Sequence, residues 1–135
     1  MTLDDLHAAF ELADDWEERY AILIDVGRKR AGLPESEQVE ANIVRGCMSQ
    51  VWMVAAVDDA GRLRVAADSD ALIVRGLIGV LLLIIDGKTP AEVAQLDIAA
   101  EMDRLDLAQH VSPNRRNGLS AMVLRVKQLA AEQAA

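Results

Sequence analysis

The sequence has few aromatic residues, one cysteine and two histidines. Only 3% of its 135 residues are Phe, Trp or Tyr, so it offers few rings on which nucleic-acid bases could stack. A single cysteine cannot form an intramolecular disulfide, and without a Cys-x-x-Cys pair the usual spacing of zinc or cluster ligands is missing. We therefore expect no metal site, and a reducing compartment, the cytoplasm, as its location.

Basic residues are also in the minority. The chain has 22 Asp and Glu against 14 Lys and Arg, which gives a net charge of −8. Because neutralising phosphates requires clustered Lys and Arg, this balance argues against nucleic-acid binding and favours basic protein partners. Residues 1–15 are acidic and have no Lys or Arg, the opposite of a secretory or transit leader.

No hydrophobic run is long enough to cross a membrane. The longest, residues 71–85, contains Arg75 and falls short of the roughly 20 residues that a spanning helix needs. We expect no membrane association and interpret this run as a buried core helix. With 52% apolar and 27% charged residues, the composition is that of a globular protein, and the length suits a single domain over residues 1–135.

Capping patterns divide the chain into helices. A capping box at Thr2 predicts a first helix to about residue 12, and the acidic start at Asp14 predicts a second helix that ends near Gly27. Later starts are predicted in chain order: N-cap oxygens within residues 68–70 for a long helix over 71–85, Thr89-Pro90 for short helices through about residue 105, and Ser112-Pro113 for a last helix.

Three stretches have strand character: residues 42–45, 50–57 and 62–66. The turn residues 58–61 (DDAG) between the last two are typical of a hairpin. Both faces of residues 50–57 are apolar, so we expect helices on one side of the sheet and a loop on the other. The sequence predicts an α+β fold with a small antiparallel three-stranded sheet packed against several α-helices.

Cys47 lies between two strand-like stretches and directly after Gly46, which predicts a loop tip with a tight or positive-φ turn. Arg45 is a cation that would favour the thiolate by lowering the thiol pKa below its usual value of about 8.5. The residues alone leave three interpretations open. Cys47 is a reactive thiol, a buried structural thiol in an interaction module, or the nucleophile of a Cys-His hydrolase with His110 as its base.

Residues 45–52 (RGCMSQVW) resemble the cysteine loop of the SufE family of sulfur acceptor proteins. Two departures stand out: Met48 occupies a position where relatives commonly have a polar residue such as Gln, and Glu101-Met102 stand where aromatic residues are expected. Three further stretches agree in the family's order, so that the resemblance spans nearly the whole chain: residues 14–20 (DDWEERY), 68–77 (DSDALIVRGL) and 110–119 (HVSPNRRNGL).

The resemblance implies a function for Cys47. It would accept sulfane sulfur as a persulfide from a SufS-like, pyridoxal-phosphate-dependent cysteine desulfurase, stimulate that enzyme, and relay the sulfur to a SufBCD-like scaffold for iron–sulfur cluster assembly. The chain itself would need no cofactor, because pyridoxal phosphate belongs to the desulfurase. It would be a persulfide-forming accessory protein, a monomer or weak homodimer, and not itself a desulfurase.

The resemblance also implies supporting residues around the thiol. Gly46 and Gln50 match the loop, and we expect Arg45 to support it. Arg115 matches the arginine of the family's Ser-Pro-x-Arg motif, and Asp70 matches an acidic residue ahead of the long helix. We expect Asp70 and Arg115 to hold the loop or to contact the desulfurase.

Overall fold

The computed structural model describes residues 1–47, 49–107 and 111–134. A hairpin is formed by strands β1 (Val51–Val57) and β2 (Leu63–Ser69), and the segment before it contains two 3₁₀ turns, Glu35–Glu37 and Glu40–Asn42. The helices bounded within these ranges are α1 (Leu3–Leu12), α2 (Trp16–Arg30), α3 (Leu72–Ile85), α4 (Pro90–Gln95), α5 (Ile98–Asp103) and α6 (Pro113–Ala134).

Side-chain caps begin several of the helices where the sequence predicts them. In α1 the backbone N–H of Asp5 donates to Thr2 Oγ1 (3.2 Å), and the Asp5 carboxylate accepts from the Thr2 backbone (2.8 Å), which confirms the capping box. Thr89 begins α4 in the same way. The cap of α2 is Asp15, one residue later than predicted. These caps satisfy N–H groups that the first helical turn leaves without partners.

The predicted cap of α3 is wrong. The N-cap is Ala71, and no side chain caps this helix. The oxygens of residues 68–70 serve other contacts, because β2 extends through Ser69 and because Asp68 pairs with Arg75, whose Nε lies 2.9 Å from Asp68 Oδ1. This partly buried ion pair also explains how Arg75 is tolerated inside an apolar helix.

Gly27 does not end α2, contrary to the sequence-based prediction, since the helix continues to Arg30. The residue is instead required where α2 crosses α3. A Cβ at Gly27 would lie 2.7 Å from Gly76 N, and a Cβ at Gly76 would lie 2.7 Å from Leu23 O. The two glycines therefore allow the helix backbones to approach more closely than any side chain would permit.

Over the described residues the sheet has two strands, so the prediction of three is wrong. β1 and β2 are antiparallel, in a register that pairs Val51 with Ser69 and Val57 with Leu63. The stretch 42–45 contributes only one bridge, between Ile43 and Trp52, because a 3₁₀ turn ends at Asn42 and the chain turns again at Gly46. The class is nevertheless α+β, with helices packed against a small antiparallel sheet, as predicted.

The core is built from aliphatic side chains around α3. Leu77, Ile78, Val80 and Leu81 are completely buried, which confirms that the apolar run is a core helix. On α6, Leu119, Met122, Val126 and Leu129 are buried against the same core. Within the described residues, no helix combines the length and the apolar character that crossing a bilayer requires.

We expect Gly76→Ala to lower the free energy of unfolding by about 1–3 kcal/mol, because the added methyl group would force α2 and α3 apart. Gly32→Ala is the matched control, since a Cβ there meets no atom within 4 Å. Urea denaturation measures both. Equal stability of the two variants would contradict the close approach of the helices.

Candidate functional site

Cys47 lies in the short loop between the Ile43 bridge and β1, against the first turns of α6. Its side chain is half-buried, and its thiol donates to the backbone carbonyl of Gly118, with Sγ and O 3.5 Å apart. Gly118 has no side chain to separate the sulfur from the helix; a Cβ there would lie 3.6 Å from Sγ. The structure therefore places the thiol on the surface of α6, partly shielded from solvent.

Gly46 turns the chain so that the loop reaches α6. Its φ of +92° lies in the region that favours glycine, as the sequence predicts. A Cβ at this position would also lie 3.2 Å from the Cβ of Ala121, closer than most side-chain contacts. Both the backbone angle and the packing thus require glycine immediately before Cys47.

The other end of the loop is fixed to the junction between β2 and α3 through the backbone of Gln50. Its carbonyl accepts from Ser69 Oγ (2.7 Å) and from the Asp70 N–H (3.4 Å). Its N–H donates to Asp70 Oδ1 (3.1 Å). Two of these three hydrogen bonds involve Asp70 and place it against the cysteine loop.

Ser69 is a supporting residue that the sequence analysis did not identify as one. It is the buried polar residue of the described core, and its hydroxyl both donates to Gln50 and accepts from the Ala71 N–H (3.3 Å). A buried hydroxyl needs such partners. The sequence contained one signal for this role: Ser69 is a polar residue on the same inward face of β2 as the buried Ala67.

A cavity of about 220 Å³ opens beside the thiol. Arg115 lines it from the first turn of α6, where the Arg115 backbone N–H donates to Ser112 Oγ (3.3 Å). The fold thus brings Cys47 and Arg115 to one cavity, although they are far apart in the sequence. Among the described residues, the cavity is also lined by the apolar Val74, Leu77 and Met122 together with Ser49, Ser112 and Gly118.

Burial raises the pKa of the Cys47 thiol above its ordinary value. The sequence predicts that Arg45 would lower this pKa, but its guanidinium is engaged elsewhere in this conformation. Arg45 points to Glu40, with Nη2 and Oε1 2.7 Å apart, and both side chains are largely exposed. Desolvation therefore outweighs the cation, and the resting thiol is less ionised than a free cysteine at the same pH.

Two predicted features lie outside the described residues: Met48, which follows the thiol, and His110, the base of the hydrolase interpretation. In the part of the chain that is described, no group of three or more His, Cys, Asp or Glu side chains is arranged to hold a metal ion. The described lining of the cavity contains no imidazole.

Comparison with known proteins identifies relatives over the full length of the fold. Residues 4–130 match the family model described as SufE, Fe-S metabolism associated domain. The chain is 38% identical over 129 residues to an uncharacterised SufE-like protein of Rhizobium meliloti, an alignment that covers 93% of this chain and 92% of the relative. It is also similar in fold to a hypothetical protein from Thermus thermophilus solved in solution, with a TM-score of 0.77, 23% identity, and coverage of 99% and 98% of the two chains.

The raised pKa predicts the pH dependence of Cys47 alkylation. The rate with iodoacetamide follows the thiolate fraction, so its midpoint should lie at a higher pH in the folded chain than in the same chain unfolded in urea. The difference arises from burial, which disfavours the charged thiolate. A folded midpoint below the unfolded one would show that a cation governs the thiol.

The hydrogen bond between the Gln50 N–H and Asp70 predicts that a substitution at Asp70 changes how accessible the thiol is. Asp70→Ala removes the acceptor of the Gln50 N–H, and we expect Cys47 alkylation at neutral pH to become about two- to tenfold faster, in line with the loss of one hydrogen bond. Asp59→Ala is the control, because Asp59 is exposed in the hairpin turn, away from the loop. Equal rates in the two variants would contradict the role of Asp70 in holding the loop.

Proposed function

Because the chain belongs to the SufE family, which is associated with iron–sulfur metabolism, we propose that it carries sulfur as a persulfide on Cys47. The sulfur comes from a SufS-like cysteine desulfurase and goes to a SufBCD-like scaffold on which clusters are assembled. One observation carries this proposal: the only cysteine lies on a glycine turn, partly buried, beside a cavity lined by an arginine.

The proposed reaction is an exchange between thiolate and persulfide. The Cys47 thiolate attacks the outer sulfur of a persulfide on the desulfurase cysteine. A new S–S bond forms on Cys47 while the donor's S–S bond breaks, and the donor cysteine leaves as a thiolate. The total number of S–S bonds is unchanged, so the step needs no external oxidant or reductant. The proton that Cys47 loses before the attack passes to solvent or to the departing thiolate.

The resting geometry fits a carrier that is protected between transfers. Burial and the contact with Gly118 keep the thiol mostly protonated and therefore weakly nucleophilic toward other electrophiles. Loading requires the sulfur to leave α6 and reach the donor. Gly46, in its positive-φ conformation, and Gln50, bound through Asp70, are the two ends about which the loop would move. We propose that this movement accompanies desulfurase binding.

Arg115 and the cavity fit the loaded state. A cavity of about 220 Å³ has room for the extra sulfur of a persulfide next to Cys47 Sγ. None of the described residues forms an ion pair with the Arg115 guanidinium. This positive charge would favour the anionic form of a persulfide on Cys47 over the neutral form. Arg115 would thus act on the loaded sulfur, whereas Arg45 is directed to Glu40.

The alternatives have less support in the described structure. A hydrolase would need a base in hydrogen-bond reach of the thiol, and its candidate base, His110, lies outside the described residues. A structural thiol would be fully buried in the core, whereas Cys47 is partly buried, in a loop packed against the core. A carrier role needs no cofactor of its own, and a lone cysteine that must remain a thiol fits the reducing cytoplasm.

Incubation with a SufS-like desulfurase and cysteine should add about 32 Da, the mass of one sulfur atom, to the peptide that contains Cys47. Mass spectrometry of the intact chain and of its peptides measures the adduct. Absence of the adduct in the wild-type chain, with an active desulfurase, would refute the proposal.

Cys47→Ser is the matched control. It should gain no sulfur and should not stimulate desulfurase turnover, while its free energy of unfolding should stay within about 1 kcal/mol of wild type, because the thiol is only half-buried and makes one weak hydrogen bond. A much larger loss of stability would favour the structural-thiol interpretation instead.

A further inference from the structure

A second concave surface lies next to the cysteine loop, on the outer side of α6. It is a groove of about 260 Å³, which we call the α6 groove. One wall comes from the segment before the loop and includes Ile43 and Arg45; the other comes from α6 and includes Ala121, Leu124, Arg125 and Gln128. All of these residues are described, and the groove does not share a lining residue with the cavity beside the thiol.

The α6 groove is physically continuous with the thiol. Gly118 of α6 accepts from Cys47, and Ala121, three residues later, packs under Gly46. The next residues at helical spacing, Leu124 and Arg125, form the groove wall. A partner that lies along this side of α6 could therefore contact the groove and the Cys47 sulfur at the same time.

The groove has the composition of a protein-binding surface. Leu124 is one of the few large apolar side chains with high exposure, at 59%. Arg125 forms no ion pair with any described residue. The Arg45 pair with Glu40 is exposed on both sides, and such pairs contribute little, so Arg45 can exchange Glu40 for another carboxylate. Arginine is one of the residue types in which interface hot spots are enriched, and the exposed leucine adds an apolar surface that a partner can cover.

We propose that the α6 groove is a docking surface for the cysteine desulfurase, and that it binds a segment presenting a carboxylate beside an aliphatic side chain. This inference rests on the proposed sulfur transfer. The carboxylate would pair with Arg45 and Arg125, and the aliphatic group would cover Leu124. A specific interface buries about 800 Å² on each partner, so a complex centred on the cysteine loop would extend onto neighbouring surfaces such as this groove.

Two arguments favour the desulfurase over other occupants. The groove leads along α6 to the sulfur of Cys47, and the sulfur donor is the partner that must reach this thiol first. A second copy of this chain would bring the same net charge of −8, and long-range repulsion opposes that encounter.

The test compares groove variants with matched surface controls. Leu124→Asp and Arg125→Glu change the groove, while Leu12→Asp, at an 83% exposed leucine ending α1, and Arg28→Glu, on the exposed side of α2, make the same changes elsewhere. Isothermal titration calorimetry with a SufS-like desulfurase measures Kd. We expect each groove variant to bind at least about tenfold more weakly, as for a hot-spot residue, and each control to bind within about twofold of wild type.

Further readouts separate this inference from the proposed function. Iodoacetamide should alkylate Cys47 in the groove variants at the wild-type rate, which shows that the loop is intact. A large excess of desulfurase should still load their Cys47 with one sulfur, so a loss of affinity is distinguished from a loss of chemistry. If the wild-type chain is loaded and the groove variants bind like wild type, the α6 groove is not the docking surface.

Two further measurements, of self-association and of the salt dependence of binding, test which partner occupies the groove and whether a charge contact is made. If sedimentation velocity shows that the groove variants lose dimerisation while keeping wild-type affinity for the desulfurase, the occupant is a second copy and the inference is overturned. Added salt should weaken desulfurase binding less steeply for Arg125→Glu than for wild type, because the variant has lost a charge contact. Identical salt dependence would exclude the carboxylate contact at Arg125.

Discussion

The hydrogen bonds between the Gln50 backbone and the junction of β2 with α3 determine where the thiol can lie. Ser69 and Asp70 hold one end of the cysteine loop to the core, and Gly46 turns the other end onto Ala121 of α6. The loop between these points is short, and this constraint holds Cys47 against Gly118. The position of the sulfur thus follows from contacts made by its neighbours together with its own hydrogen bond to Gly118.

Burial and a nearby positive charge have opposite effects on the pKa of the Cys47 thiol, and in this structure the effect of burial is the larger. A carrier that relied on a depressed pKa would be reactive at all times, including toward oxidants. In this chain desolvation raises the pKa of the thiol, and the nearest cation in the sequence, Arg45, is directed away to Glu40. Reactivity would then depend on moving the sulfur out of its resting place, which links activation to the arrival of a partner. The same Arg45 that does not act on the thiol is available on the wall of the α6 groove.

Local signals in the sequence predicted much of the fold. The capping boxes at Thr2 and Thr89, the hairpin turn and the buried helix α3 are encoded by neighbouring residues, and the structure confirms them. The errors concern contacts between distant segments. Gly27 has the pattern of a helix end, but its role is set by the backbone of α3, and residues 68–70 have the pattern of a cap, but their oxygens bind Arg75 and Gln50. Likewise, nothing in the sequence near Arg45 showed that Glu40 would pair with it.

The central claim is that Cys47 alone carries the sulfur, and following the atom itself tests this most directly. Radiosulfur-labelled cysteine would be turned over by a SufS-like desulfurase in the presence of this chain, and the chain would then be digested and mapped. The account predicts at most one label per chain, on the Cys47 peptide, fully released by a thiol reductant. Label on another peptide, label that resists reduction, or an unlabelled chain would contradict it.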